Sequence, residues 1–155
     1  MPPKGGASIL KAMIALAALT AAGGEAVAAC QPSDGRIEVR VDALRSASGS
    51  VVAVLYGDNP DDFLKKGRRL DKVFEPARKG LVSVCLTAPS PGIYAVAVYH
   101  DENGNEKFDK TWFGLPDEGY GISNNPKIFL SAPAFDEAKF EAFDGLTVID
   151  IKVSY

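Results

Sequence analysis

The chain has 155 residues, 46% hydrophobic and 24% charged, which suits a folded chain with one domain's core and excludes a disordered one. Its formal net charge of −3, with no long run of Lys or Arg, argues against binding a phosphate backbone, so no nucleic-acid partner is expected. Lys65, Lys66, Arg68 and Arg69 form only a short, solvated cluster.

The first elements concern targeting. Lys4 and Lys11 precede an apolar, Ala-rich stretch from Ala12 to Ala22, and small residues follow, ending in Ala26-Val27-Ala28. A positive start, an apolar middle and an A-x-A end predict a secretory signal peptide over residues 1–28. The apolar stretch is too short for a permanent anchor. Its removal leaves a domain of residues 29–155, periplasmic or secreted, with 15 basic and 19 acidic residues and a net charge of −4. Two cysteines remain. In an oxidising compartment Cys30 and Cys85 read as one disulfide. The alternative is that Val27-Ala28-Ala29-Cys30 is a relaxed lipobox, with Cys30 acylated and the protein anchored to a membrane through it. Glu25 and the Gly23-Gly24 pair interrupt that pattern, and Cys85 would be left as an odd thiol.

Ile37, Val39 and Val41 alternate with polar residues, the period of a half-buried strand. After a turn at Gly49-Ser50, Val51 to Tyr56 is continuously apolar and suits a central strand. Asn59 to Lys66 carries helix-start chemistry for a turn or two, ending at Gly67. Leu70–Ala77 and Leu81–Thr87 read as two strands joined around Lys79-Gly80. In the second, Val82, Val84 and Leu86 share one face while Ser83, Cys85 and Thr87 share the other, so Cys85 would pin the N-terminal segment across the sheet from outside the core. Pro89-Ser90-Pro91-Gly92 is a turn leading into Ile93–His100, apolar on both faces. A long Gly-, Asn-, Pro- and Asp-rich segment follows from Asp101 to about Ala134, of a kind usually functional or held by a ligand. Pro133 to Lys139 suggests a short helix, and Leu146 to Tyr155 a final alternating strand. Short strands without a βαβ rhythm predict an all-β fold: a single antiparallel β-sandwich, immunoglobulin-like or prealbumin-like, of six to eight strands, with no repeat and no second domain.

Asp101 to Asp109 places oxygen side chains at Asp101, Asn103, Asn105 and Asp109, with the Lys107 carbonyl between the last two. Calcium takes six to eight hard oxygen ligands, and alternation of this kind aims them at one centre. The pattern departs from the usual calcium loop in two places: Glu106 stands where Gly is usual, with Gly104 displaced, and Trp112 stands where a bidentate Glu is expected. Asp117 or Glu118 folding back would complete the shell. Affinity is then expected in the weak extracellular range of about 10⁻⁴ to 10⁻³ M. The rival reading is a plain hairpin turn over Glu102-Asn103-Gly104-Asn105, since Asn-Gly favours the positive φ such turns need.

The run Pro91 to Asn105, Phe113-Gly114-Leu115-Pro116, Glu118 to Asn125, Phe63-Leu64 and Ala132 to Ala138 together resemble the bacterial family called domain of unknown function 2141. The resemblance implies an exported β-sandwich and no established activity. Separately, the Asp101–Asp109 loop is similar to calcium loops in the B-type repeats of bacterial surface adhesins.

His100 is the only histidine. A hydrolase would pair it as base with Ser123 or Tyr120 as nucleophile, but no Gly-x-Ser-x-Gly elbow and no second His for zinc is present, and a structural hydrogen bond to loop backbone is the competing role. Trp112, Phe113 and Tyr120 would either stack on sugars or a protein partner from a sandwich rim, or fold inward. Gly114, Gly119 and Gly121 favour the inward packing. The expected function is a non-catalytic exported module with a calcium-stabilised loop, acting in binding or envelope structure. Its alternatives are a carbohydrate-binding module using Trp112 and Tyr120, and a hydrolase centred on His100. Its possible partners are a glycan or an envelope protein.

Overall fold

The computed structural model describes Met1, Cys30, Gln31, Ser33 and residues 35–128 and 131–155. The expected signal peptide and its cleavage site lie outside the described residues. Among the described residues no helix is long and apolar enough to cross a membrane.

Eight strands are described: β1 (Arg36–Asp42), β2 (Ser50–Tyr56), β3 (Asp71–Pro76), β4 (Val82–Thr87), β5 (Gly92–Asp101), β6 (Tyr120–Ile122), β7 (Phe140–Ala142) and β8 (Leu146–Lys152). A single 3-10 turn covers Pro60–Asp62, and one helical turn, α1, covers Phe135–Ala138. The first sheet runs β4-β1-β8; the second runs β3-β2-β5-β6, with β7 pairing the start of β5. The chain is an all-β sandwich.

Sequence periodicity explains the layers. Ile37, Val39 and Val41 of β1 and Val82, Val84 and Leu86 of β4 point into the sandwich, where they meet Val51, Ala53 and Leu55 of β2 and Val96 and Val98 of β5. The alternate residues of the second sheet are apolar as well. Val52, Val54, Ala95 and Tyr99 face outward into a second cluster with Phe63 of the β2–β3 connection, Ile122 of β6 and Phe135 of α1. This outer cover explains why β2 and β5 read as continuous apolar runs: the sheet is packed on both faces. The first sheet has one apolar face, and its strands alternate.

Two pairings differ from a simple meander. Leu70–Ala77 and Leu81–Thr87 yield β3 and β4, but these strands lie in different sheets, and the Lys79-Gly80 turn carries the chain between layers. The other difference is β8, which runs parallel to β1 with Val39 opposite Ile149, while β1 and β4 are antiparallel. A parallel neighbour requires a crossover, and here the second sheet and the long loop supply it. The irregular stretch after Asp101 also contains β6, paired antiparallel with β5 from Ala97 to Tyr99. Its strand character was hidden because three residues are too few to show a period.

Cys85 sits opposite Glu38 on the outer face of the first sheet, and Cys30 is placed at disulfide-bonding distance from it, with Cα atoms 5.6 Å apart. Cys30 is buried there beside Glu38, itself 5% exposed and accepting a 2.9 Å hydrogen bond from the Ser83 hydroxyl.

Candidate functional site

Asp101 closes β5, and its carboxylate turns back into the loop that follows. It is 1% exposed. One oxygen accepts backbone N–H bonds from Gly104 (2.8 Å) and Asn105 (3.1 Å), and the other accepts from Glu106 (2.8 Å). A buried carboxylate needs such donors, since desolvation without them is costly. The loop achieves this curvature with left-handed backbone at two residues, Gly104 (φ +71°) and Glu106 (φ +62°). The position where calcium loops favour Gly therefore does adopt the conformation Gly favours, although Glu106 occupies it.

Asn103 and Asn105 continue the pattern. Their side-chain oxygens accept from the backbone two residues on, at Asn105 (3.0 Å) and Lys107 (2.8 Å). Both amide nitrogens donate to Asp109 Oδ2 at 2.7 Å. Asp101, Asn103, Asn105 and Asp109 are thus drawn together, with N–H groups meeting the carboxylates. Among the described residues no three His, Cys, Asp or Glu side chains form a metal cluster.

The chain then makes a small hairpin. Lys110 bridges Pro116, Thr111 N–H donates to the Leu115 carbonyl (2.7 Å), Gly114 N–H donates to the Thr111 carbonyl (2.9 Å), and Asp117 N–H donates to the Asp109 carbonyl (3.0 Å). Beyond it, Glu118 folds back toward Asp109, whereas Asp117 is exposed. Glu118 is 5% exposed; Oε2 accepts from Asp109 N–H at 3.1 Å, and Oε1 is buried without a hydrogen-bond partner. Burial pushes its pKa up, and the neighbouring charges of Asp101 and Asp109 push it the same way, against the lowering effect of the Asp109 N–H bond. The same field acts on Tyr99, whose hydroxyl donates to the Glu106 carbonyl (3.2 Å): burial first, then Asp101, Glu118 and Glu106, push it up to about 12.

The other candidates are distributed differently. Glu102 turns away from the loop to bond Arg45 Nε (2.8 Å) and the Ser46 hydroxyl (2.7 Å), clamping the β1–β2 connection; this partnership holds its pKa below the usual glutamate range. His100 is fully buried between the Tyr155 hydroxyl (2.6 Å at Nδ1) and the Ser48 carbonyl (2.8 Å at Nε2). A carbonyl only accepts, so Nε2 carries the proton and Nδ1 accepts from Tyr155. Ser123 is also fully buried, but its hydroxyl accepts from Val96 N–H (3.0 Å) and donates to the Ala138 carbonyl (2.5 Å). The hydrogen bonds of His100 and Ser123 run to other groups and not to each other. Ser123, Asn124 and Asn125 instead tie β5, α1 and β8 together, since Asn124 donates to the Lys139 carbonyl (2.8 Å) and Asn125 to the Asp150 carbonyl (2.9 Å).

The inward packing expected for the loop aromatics holds for Tyr120 alone, whose ring lies 5.8 Å from that of Phe108. Trp112 is 94% and Phe113 57% exposed. They sit at the hairpin tip, edge to face with ring centres 5.0 Å apart, because the tight Thr111–Gly114 turn leaves them no sheet to fold against. Sequence reading missed the partners Arg45 and Tyr155; Tyr155 fell within the alternating stretch Leu146 to Tyr155, of which β8 ends at Lys152, but nothing in the chain signalled that it meets His100.

The loop, the hairpin and the Ser123–Asn125 clamp all lie within residues 39–150, which match the family described as uncharacterized protein conserved in bacteria, DUF2141. The chain belongs to that family. No curated protein and no solved structure matched it. The DUF2141 match covers six of the eight strands in full and all but the start of β1 and the end of β8, so the family is defined by the sandwich together with its loop.

Proposed function

We propose that this DUF2141 chain is an exported, non-catalytic β-sandwich module whose Asp101–Glu118 loop is ordered by calcium, and that it acts in binding or cell-envelope structure. The observation that carries the reading is Glu118: a buried carboxylate with one oxygen lacking a partner, held beside Asp101 and Asp109. Burying that oxygen among other carboxylates is unfavourable without a cation and favourable with one. Asp101, Asn103, Asn105, the Lys107 carbonyl, Asp109 and Glu118 supply the hard oxygens calcium requires. An ion would take over from the two Asn amide groups that now neutralise Asp109. Asp109 and Glu118 flank the hairpin, so ordering them fixes the direction in which Trp112 and Phe113 are presented.

The test is thermal unfolding of the purified chain in chelator, then in millimolar calcium, with magnesium as control. At ten times Kd calcium should stabilise by about 1.4 kcal/mol, a rise of several degrees in Tm. Absence of any shift at ten millimolar calcium would reduce the loop to a self-bonded Asn-Gly turn. A second reading, glycan binding, is favoured by the exposure of Trp112. It predicts retention on a glycan surface that Trp112→Ala abolishes.

A further inference from the structure

We infer that the outer face of the second sheet carries a binding cleft for an amphipathic carboxylate, an alkyl chain ending in one anionic head. The cleft has a volume of about 470 Å³, within the range of small-molecule sites. Val54, Ala97 and Ile122 form its floor, from β2, β5 and β6. Ala97 is the small residue between larger neighbours and creates the depression. Leu115 of the hairpin and Ile128 also line it. Among the described residues of the lining, Lys110 is the one charged side chain, and no carboxylate accompanies it.

That composition selects the ligand. Tyr56, Tyr99, Tyr120 and Ser131 are the neutral hydroxyl-bearing residues of the lining, the remainder beside Lys110 is apolar, and that balance suits an alkyl chain with one anionic end better than a ring of sugar hydroxyls. A lone ammonium is a point charge without the bidentate fork that suits a phosphate, and it is matched by a monoanion. An alkyl carboxylate satisfies both parts of the lining at once. Asp101 and Glu118 are not in the lining, but Lys110, Gly114, Leu115 and Pro116 lie in the loop between them, so the titration is run in chelator and in calcium, and binding in chelator separates this site from the calcium reading.

The experiment is calorimetric titration of the purified chain with octanoate, decanoate and dodecanoate below their micelle concentrations, with dodecyltrimethylammonium as the cationic control. Binding of one dodecanoate per chain is expected, tightening roughly tenfold for each two methylenes added. Lys110→Gln should weaken dodecanoate about fivefold to tenfold, and the exposed position leaves the core untouched. Ala97→Phe should fill the floor and abolish binding; where it lowers Tm, Leu115→Asp serves instead, placing a repelling charge on a half-exposed wall. No saturable dodecanoate binding would overturn the proposal. So would equal affinity for the cationic control, or an unchanged Kd in Lys110→Gln.

Discussion

Asp109 and Glu118 stand at the two feet of one hairpin, and the Asp109 N–H donates to Glu118 Oε2 across them at 3.1 Å. Eight residues of chain separate a candidate ligand from its partner, and those residues carry the most exposed aromatic of the described chain, Trp112. The loop and the tip are therefore mechanically one unit.

Glu118 has a raised pKa in the fold, so its protonated form is favoured there. Its contribution to stability is full below the pKa of the unfolded chain and is lost as pH rises through the folded value. Glu118→Gln should accordingly raise Tm at neutral pH in chelator and remove the calcium-dependent rise. Paired melts of the two proteins from pH 4 to 8 check both effects; a variant less stable than the parent in chelator would count against a charge held there at a cost.

Glu102 behaves in the opposite sense. Its pKa is lowered chiefly by the Arg45 bond, so its contribution is present above the unfolded value and lost as pH falls through the folded one. Glu102→Gln should flatten the acid side of the stability profile and leave calcium binding intact.

Glu106 holds a left-handed backbone conformation that costs a non-Gly residue about 1 kcal/mol. Its carbonyl bonds to Tyr99 and Lys72 do not require its side chain. Glu106→Gly should therefore stabilise or leave stability unchanged, within about 1 kcal/mol, and should strengthen calcium binding if that strain opposes loop closure. Urea unfolding and a calcium titration measure the two.

The pairing of Cys30 with Cys85 spans 55 residues, and a cross-link of that span stabilises by about 4 kcal/mol through the unfolded chain. Cys30→Ser with Cys85→Ser should lower the urea midpoint by a corresponding amount, and reductant should have the same effect on the parent protein only.

Tyr155→Phe removes the donor to His100 Nδ1 and the acceptor for the Arg45 N–H. Leaving a fully buried ring nitrogen without its partner should cost about 1–3 kcal/mol. His100→Gln should be at least as costly, and neither change should alter any ligand titration, which separates a structural pair from a catalytic one.

The strands of the sandwich could be anticipated because burial on one face or two imprints a period or a run on the residues, as in β1 and β5. Alternation also placed Cys85 outside the core. What stayed hidden depends on chain geometry rather than local pattern. Nothing local distinguishes β3 and β4 as members of different sheets, or β8 as a parallel neighbour of β1. The loop's oxygen spacing pointed to Asp101, Asn103, Asn105 and Asp109, but the burial of Glu118 depends on the hairpin folding back. Glycines near Trp112 suggested inward packing, whereas Gly114 serves a turn that projects the aromatic pair outward.

The parallel pairing of β1 with β8 has a kinetic meaning. The strand at the middle of the first sheet receives one of its two neighbours from Leu146–Lys152, at the far end of the domain from Arg36–Asp42. A polypeptide emerging N-terminus first from a ribosome cannot complete that sheet until residues 146–152 are free. Closure of so distant a contact is slow, which makes arrival of β8 the step that commits the domain to its folded shape.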